Sequence, residues 1–407
     1  MIVVNRSNSN LITEISLTPS KSITNRVLII QALSEEYFEV QNDSNSDDSF
    51  VLKNILKNIK SVIDVKDAGT SFRFLTAFLS IQNGEYLLTG SERMKKRPVG
   101  KLVEALQSLG GKIEYLEKEN FPPLKITGGK LSSRKISMDA SESSQFVSSL
   151  LLIAPKLSNG LEIDLSGTVI SRPYISMTVS LMRYFGIEIF SEGNKIIIPS
   201  SNYKAKPIFI ENDWSSASFW YQAAALSDSS EIVLKNLSKN SIQGDVAIID
   251  IMQQFNVDSI ISDKDITLRK SMLKATPDFF EYDFSSCPDL VIPVAFTCAG
   301  LRIPAAFRGI KNLRIKESDR LEAIRAELLK AGARIELFDN SFSMHPMPIQ
   351  FPIPIFNSHG DHRMVMAEAM LSLIFKEISI DKFSPVSKSY PEFWNHLKHA
   401  GFTYILT

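Results

Sequence analysis

The chain has 407 residues, 44% hydrophobic and 22% charged, a composition that excludes a disordered or fibrous protein and leaves room for two domains with substantial cores. Forty-five basic residues balance forty-five acidic ones, so non-specific nucleic-acid or membrane binding has no compositional support and any cationic site must be assembled locally. Two cysteines exclude a disulfide framework and suit a reduced, cytoplasmic setting, MIVVNRSNSN has no h-region, and the longest apolar stretch, LVIPVAFTCAGL, is too short to span a bilayer.

In chain order, two kinds of helix alternate. The first kind opens on a polar cluster and runs into an apolar body: SKSITNRVLIIQAL, DAGTSFRFLTAFLS, SSQFVSSLLLIAP, DWSSASFWYQAAAL, CPDLVIPVAFTCAG and DHRMVMAEAMLSLIF. Weak amphipathicity predicts that these are buried helices with polar tips. The second kind is amphipathic, stops at Gly or Asn and passes at once into a β-like run. It is weak in VLKNILKNIKSVIDV and clear in LVEALQSLGGKIEYL, ISMTVSLMRYFGIEIF, AIIDIMQQFNVDSII, LEAIRAELLKAGARIEL and FWNHLKHAGFTYIL. The stops at Gly110, Gly186, Asn256, Gly332 and Gly401 recur at intervals of about 70 residues, the self-similarity of a repeated supersecondary unit. Short β-branched runs such as KIIIPS, PIFIEN and EIVLKNL lie between them.

Six α/β units follow, three per domain, with the inner helices directing their N-termini toward a common place. Similar helix spacing in any α/β chain is the plain alternative. IPSSNYKAKPIFIEND, with Pro199 and Pro207, is the linker candidate. The expected domains are residues 1–18 with 211–407, and residues 19–210, the N-terminal strand joining the far half because the first copy is weak.

The tips carry Lys21, Ser22, Arg26, Gly69, Thr70, Ser143, Ser144, Gln145, Asp289, Asp361, His362 and Arg363. The second helix series adds Arg93, Arg97, Lys316 and Arg320, and SPVSKSYP adds Lys388. Hydroxyls, backbone N–H groups and arginine forks of this kind suit a polyanionic small substrate, and nothing in the set suggests a nucleophile. In NLRIKESDRLEAIRAELLKAGARIE, Asp319 and Glu322 read as a capping box and Leu321, Ile324, Leu328 and Leu329 as the buried face. Lys316 and Arg320 stand at the end where the helix dipole is already positive, which suggests an anion there. A solvated face neutralised by Glu317 and Asp319 stands beside that reading. Plain alternatives also stand for the rest. Ser22, Ser143, Ser144 and Ser215 fit helix caps, Gly69 fits a tight turn, and Arg93 to Arg97 fit a solvated charge run. His359, Asp361 and His362 lack further ligands, so no metal is expected, and neither G-x-G-x-x-G nor a P-loop is present.

SKSITNR, DAGTSFRFLTA, RMKKRPVGKLVEAL, SSQFVSSLLL, SRPYISMTVSLM, DWSSASF, PDL, NLRIKESDRL, GDHRMVMA and SKSYPEFW, taken in order, resemble the 5-enolpyruvylshikimate-3-phosphate synthase family over nearly the whole chain. The resemblance implies an inside-out α/β barrel fold of two similar domains, each of three βαβαββ-type units, with the active site in the cleft between them. It implies transfer of the enolpyruvyl group of phosphoenolpyruvate to the 5-hydroxyl of shikimate 3-phosphate through a tetrahedral intermediate. By the same resemblance Lys21, Ser22, Arg26, Ser143, Ser144, Gln145, Ser171, Tyr174, Asp289, Asn312 and Lys316 contact shikimate 3-phosphate. Lys21, Gly69, Arg97, Gln145, Arg320, Arg363 and Lys388 contact phosphoenolpyruvate. Asp289 is the implied base, and Lys316 and Glu317 are candidates for proton delivery, a lysine among cations having its pKa lowered toward a useful range. No cofactor is implied, and a cytoplasmic monomer is expected.

The chain departs from the family pattern at Thr18 and Pro19, at Asp67, at Ser176 and at Gly360. Two rivals remain. One is the related UDP-N-acetylglucosamine enolpyruvyl transferase, which relies on a loop cysteine that neither Cys287 nor Cys298 resembles. The other is a non-catalytic phosphometabolite-binding protein.

Overall fold

The structure is a computed structural model that describes residues 1–6, 8–167, 169–271 and 275–407. The chain divides into two compact units, Met1–Thr18 with Glu211–Thr407 (unit I) and Pro19–Ile210 (unit II). It enters unit I through β1 (Ile2–Asn5) and β2 (Asn10–Ile15).

Unit II begins with α1 (Lys21–Leu33), β3 (Val40–Gln41) and α2 (Asp47–Lys57). A full βαβαββ copy follows in β4 (Val62–Asp64), α3 (Gly69–Ser80), β5 (Gly84–Thr89), α4 (Gly100–Ser108), β6 (Lys112–Tyr115) and β7 (Leu124–Gly128). The next copy is β8 (Lys135–Asp139), α5 (Ser144–Ile153), β9 (Leu161–Ser166), α6 (Arg172–Tyr184), β10 (Phe190–Glu192) and β11 (Lys195–Ile198). β12 (Ile208–Phe209) then returns to pair in parallel with β3.

Unit I resumes with α7 (Trp214–Leu226), β13 (Ser229–Lys235), α8 (Ile248–Gln253), β14 (Val257–Ile261) and β15 (Asp265–Lys270). β16 (Phe280–Asp283), α9 (Val291–Gly300), β17 (Ala305–Arg308), α10 (Arg320–Lys330), β18 (Ala333–Leu337) and β19 (Ser341–Pro346) form the next copy. The last consists of α11 (His362–Met370), α12 (Ser372–Phe375), β20 (Glu377–Ile380), α13 (Phe393–His399) and β21 (Thr403–Leu406).

One topology repeats. In the sheets of β4, β8 and β16 the first two strands are parallel, and the hairpin that follows folds back so that its far strand pairs antiparallel with the second. β2 supplies the first strand for the β13–β15–β14 sheet, although the whole of unit II intervenes in the chain. β1 lies between β20 and β21 in the position of the fourth strand, and a single parallel bridge from Phe356 to Ile380 marks the place of the first. The first copy of unit II is reduced to the β3–β12 pair. Its weakness in the sequence has a local cause. Gly110, Gly186, Asn256, Gly332 and Gly401 all adopt φ between +65° and +97°, the left-handed turn that sends each outer helix into its hairpin. Asn58, at the end of α2, has φ −151° instead.

The inner helices α1, α3 and α5 pack on one another in unit II, as α7, α9 and α11 do in unit I. Every residue of α3, α5 and α7 is buried except one, and in each it is the second residue, Thr70, Gln145 and Ser215. Burial of nearly all faces explains why these helices read as apolar without a stripe, each buried Leu, Ile or Phe contributing about 1.5–3 kcal/mol. No helix among the described residues is long and apolar enough to cross a membrane.

The outer helix α10 differs from expectation on one face. Leu321, Ile324 and Leu328 are buried, but Leu329 is 57% exposed. The place of the fourth apolar residue is taken by Glu327, which is buried because protein donors surround its carboxylate.

Candidate functional site

In unit I the polar groups come from the tips of α7, α9, α10 and α11. Asp289 lies on the 3-10 turn Pro288–Leu290 that leads into α9. Asp361 caps α11, its Oδ1 accepting the Arg363 N–H at 2.9 Å, and Asp319 caps α10 by accepting the Glu322 N–H at 3.2 Å. Arg320, the first residue of α10, is only 1% exposed. Its Nε donates to Asp361 Oδ2 at 2.8 Å, Nη1 to Asp289 Oδ1 at 2.9 Å and Nη2 to Glu317 Oε2 at 3.0 Å. Arg363 Nη2 lies 3.2 Å from Asp289 Oδ2 and donates to Ser215 Oγ at 3.2 Å, and Ser215 in turn donates to Asp245. Lys316 Nζ is 4.0 Å from Asp289 Oδ1, and Lys388 Nζ is 3.7 Å from Glu317 Oε1.

The start of α10 is therefore no solvated face. The anions that meet Arg320 are three carboxylates of the protein itself. Asp319 serves instead as cap and as partner of Arg314, at 3.3 Å. The cations that keep accessible side-chain surface are Lys316, Lys388 and Arg363.

Protonation follows from this packing. Burial would raise the Asp361 carboxyl, but the adjoining Arg320 outweighs it and holds it down at about 2. Burial, reinforced by the Asp289 charge, pushes Asp245 up to about 7 against the pull of Arg363. Lys316 is lowered, as expected, but the largest cause is burial even though 23% of its side chain stays accessible. Asp289 opposes that shift, and the cations Arg320 and Arg363 add to it.

Unit II holds a second cluster. Arg26, in α1, is 2% exposed, and its Nε donates to Thr178 Oγ1 at 2.7 Å, Nη1 to the Ser22 carbonyl at 2.8 Å and Nη2 to the Tyr174 carbonyl at 3.2 Å. It lies over the rings of Phe74 and Tyr174, at 5.4 and 5.8 Å. No carboxylate among the described residues pairs with it, and burial lowers its pKa to about 10. Lys21 Nζ pairs with Asp48 Oδ2 at 3.1 Å. Gln145 Nε2 donates to Thr70 Oγ1 at 3.1 Å, joining the tips of α5 and α3.

Gly69 opens α3 against Arg97, and a Cβ there would lie 2.2 Å from Arg97 Nη1, so any larger residue would push the guanidinium aside. Arg97 is 9% exposed, which removes it from the solvated charge run, whereas Lys95 in that run pairs with Glu92 and Glu117. Ser171 stands just before α6 with φ +49°, and Tyr174 lies in the first turn.

Of the four serines read as caps, Ser143 alone caps its helix, accepting the Gln145 N–H at 3.3 Å. Ser20 caps α1 and Asp213 caps α7, while Ser22, Ser144 and Ser215 lie inside their helices. Asp289, Lys316, Glu317, Arg320, Arg363 and Lys388 are thus brought together in unit I, and Asn312 lies on the neighbouring turn Lys311–Ile315. In unit II, Gly69 meets Arg97, and Arg26 meets Ser22 and Tyr174.

Sequence reasoning missed Arg73, Asp48 and Asp245. Arg73 donates to the Gly69 and Pro98 carbonyls at 2.9 and 3.0 Å. An arginine inside an otherwise apolar helix was its signal; Asp48 lies at the start of α2 and Asp245 on the 3-10 turn Gly244–Ala247 before α8, and neither had one. Among the departures, Asp67 turns to Ser91 on an exposed turn, and Gly360 takes φ +64°. Among the described residues, no group of three His, Cys, Asp or Glu is placed to hold a metal. Both cysteines are fully buried, burial pushing the Cys287 thiol up to about 12 and raising Cys298 as well.

Residues 51–397 match the family model for EPSP synthase (3-phosphoshikimate 1-carboxyvinyltransferase). A 3-phosphoshikimate 1-carboxyvinyltransferase of Bacteroides fragilis (strain YCH46) is 41% identical over 95% of both chains. That of Vibrio campbellii (strain ATCC BAA-1116) is 33% identical over 95% of this chain and 96% of its own. In fold the chain resembles the EPSP synthase of Acinetobacter baumannii, with TM-score 0.79, 20% identity and coverage of 100% and 99%. It also resembles the enolpyruvyl transferase NikO of Streptomyces tendae, with TM-score 0.75, 15% identity and coverage of 99% and 98%. The repeated topology, the two polar clusters and these matches lead to one conclusion: the chain belongs to the EPSP synthase family of enzymes.

Proposed function

We propose that the chain transfers the enolpyruvyl group of phosphoenolpyruvate to the 5-hydroxyl of shikimate 3-phosphate and releases inorganic phosphate, acting as a cytoplasmic monomer without a cofactor. The observation that carries this reading is the unit I cluster, in which one carboxylate, Asp289, faces Arg320, Arg363 and Lys316 at 2.9, 3.2 and 4.0 Å. Asp289 accepts the hydroxyl proton as the oxygen attacks C2 of phosphoenolpyruvate, while the methylene carbon C3 takes a proton from Lys316 or Glu317. In the elimination the C–O bond to phosphate breaks, C3 gives its proton back, and the proton taken up by Asp289 leaves with the phosphate.

Burial lowers the Lys316 pKa, which makes its ammonium a stronger proton donor than an ordinary lysine. Arg320, Arg363, Lys388, Lys21, Arg97, Gly69 and Gln145 bind phosphoenolpyruvate. Arg26 supplies shikimate 3-phosphate with a buried positive charge, and Lys21, Ser22, Ser143, Ser144, Gln145, Ser171, Tyr174, Asp289, Asn312 and Lys316 complete its contacts. Developing negative charge on the leaving phosphate is stabilised by groups already in place, the arrangement that contributes most in enzymes generally.

A cysteine-dependent relative acting on UDP-N-acetylglucosamine is disfavoured, since both thiols are buried with raised pKa values. Phosphate release from phosphoenolpyruvate, assayed with each acceptor, tests the proposal. Release with shikimate 3-phosphate alone is expected. Release driven by UDP-N-acetylglucosamine, or none with either acceptor, would overturn it.

A further inference from the structure

Glu327 is a buried carboxylate that takes no part in the proposed chemistry. It stands seven residues after Arg320 on α10, which sets the two side chains two turns apart on one helix face. It is 1% exposed. Its Oε1 lies 2.9 Å from His359 Nε2, and its Oε2 accepts the Asn357 N–H at 2.8 Å and Lys330 Nζ at 2.7 Å. Lys330 also donates to the Ile355 carbonyl at 2.9 Å.

The segment gripped in this way is irregular. His359 has φ +49°, unfavourable for a residue with a Cβ, and Gly360 follows at φ +64°. The Asn357 side chain accepts the His359 N–H at 2.7 Å, Asp381 accepts the Ser358 N–H at 2.7 Å, and the Ser358 carbonyl accepts the Asp361 N–H at 2.8 Å. The two left-handed residues thus deliver the chain to Asp361, which caps α11 and receives Arg320. α10 holds this segment at two points, through Arg320 on Asp361 and through Glu327 on Asn357 and His359. Strained backbone persists only where its surroundings over-determine it, and Glu327 grips both the backbone and the side chain of the segment.

We infer that Glu327 is a positioning residue for phosphoenolpyruvate binding: it holds residues 357–360 in place around the left-handed His359 and Gly360, and so fixes Asp361, the Arg320 guanidinium that Asp361 orients, and Arg363 on the same helix tip. The inference rests on the function proposed above. Loss of the grip displaces cations far from the mutated atom, the kind of misplacement that lowers activity on the order of tenfold to a hundredfold. Its effect should fall on one substrate, because the cations it displaces, Arg320 and Arg363, are both assigned to phosphoenolpyruvate.

The test compares wild type with Glu327→Gln, which keeps the shape and loses the charge, and with His359→Asn, which keeps a residue tolerant of φ above zero and loses the imidazole. Steady-state kinetics, calorimetric binding of shikimate 3-phosphate, thermal unfolding and hydrogen exchange at residues 357–360 are measured on the full chain. The expected result for Glu327→Gln is a KM for phosphoenolpyruvate raised on the order of tenfold or more. Its affinity for shikimate 3-phosphate should stay within about threefold of wild type, and exchange at the Asn357 amide should quicken. His359→Asn should move the same quantities less. A merely structural role would lower the unfolding temperature and leave KM in place. A phosphoenolpyruvate KM within about twofold of wild type in a folded variant, or equal losses for both substrates, would overturn the inference. If Glu327→Gln does not fold, His359→Asn decides by the same criteria. Wild type that releases no phosphate with shikimate 3-phosphate would overturn the proposed function and this inference together, whereas an active wild type with unaffected variants overturns this inference alone.

Discussion

Arg26 in unit II and Arg320 in unit I are both buried guanidiniums, 2% and 1% exposed, and they are held in opposite ways. Arg320 is surrounded by Asp361, Asp289 and Glu317, and these neighbours raise its pKa. Arg26 is held by hydroxyls, carbonyls and aromatic faces, and burial lowers its pKa to about 10. A buried charge without a counter-ion is unfavourable. Unit II therefore holds a buried positive charge that no carboxylate among the described residues balances, whereas unit I has neutralised its central arginine and presents Lys316, Lys388 and Arg363 around it. One unit holds its guanidinium with neutral dipoles and aromatic faces, the other with a charge network that orients its own members.

The sharpest way to break this comparison is to remove both guanidiniums in turn. Arg320→Met strands three carboxylates, and stability falls by about 3–5 kcal/mol. Arg26→Met loses hydrogen bonds but also a desolvated charge, and its stability changes by no more than about 1.5 kcal/mol. Its affinity for shikimate 3-phosphate falls on the order of tenfold to a hundredfold, as loss of a charge-assisted contact does. Denaturant midpoints and calorimetry read both effects, and equal destabilisation by the two substitutions would erase the distinction.

Next in size are Asp289→Ala and Lys316→Ala, each expected to lower turnover about a hundredfold or more as positioned proton-transfer groups are lost. Near-normal turnover in either would return that residue to the supporting network.

A third test concerns the proton on Asp245. Its folded pKa of about 7 lies above its ordinary value of 3.8, so the stability it contributes is fully present below about pH 4 and is lost as pH rises to about 7. Asp245→Asn lacks that titration, so the unfolding temperature of wild type relative to the variant should fall between pH 4 and pH 7 and level off above. The Asp361 carboxyl, held at about 2, adds stability above its ordinary 3.8 that is lost as pH falls toward 2, but this occurs in both proteins and cancels. A difference that stays flat across that range would assign Asp245 an ordinary pKa.

The smallest expected effect is at Leu329. With 57% exposure, Leu329→Ser should shift stability by less than about 0.5 kcal/mol, while Leu328→Ala on the buried face costs about 2–5 kcal/mol.

Much of the fold was legible because its signals are local. The left-handed turns at Gly110, Gly186, Asn256, Gly332 and Gly401 and the Asp319 cap involve residues within a few positions of one another. Apolar bodies with polar second residues marked the inner helices. The caps of α1 and α7 were each misjudged by two residues, since several neighbouring polar residues have cap chemistry and packing selects one. Glu327 was invisible, because a glutamate on an amphipathic helix reads as solvent-facing until His359 and the Asn357 amide are brought to it.

What the sequence by itself determined is the repeating alternation of buried and amphipathic helices, the turns that end the outer ones, and which side chains stand at the tips. Only the tertiary structure decided how those tips share charge: that Lys21 meets Asp48, that Arg26 meets no carboxylate among the described residues, that Asp245 sits behind Ser215 and Arg363, and that Arg320 is encircled. The reason is range. Caps and left-handed turns are fixed by a few consecutive residues, whereas an ion pair depends on distances between chain positions tens of residues apart, and on the burial that makes each such pairing strong or costly.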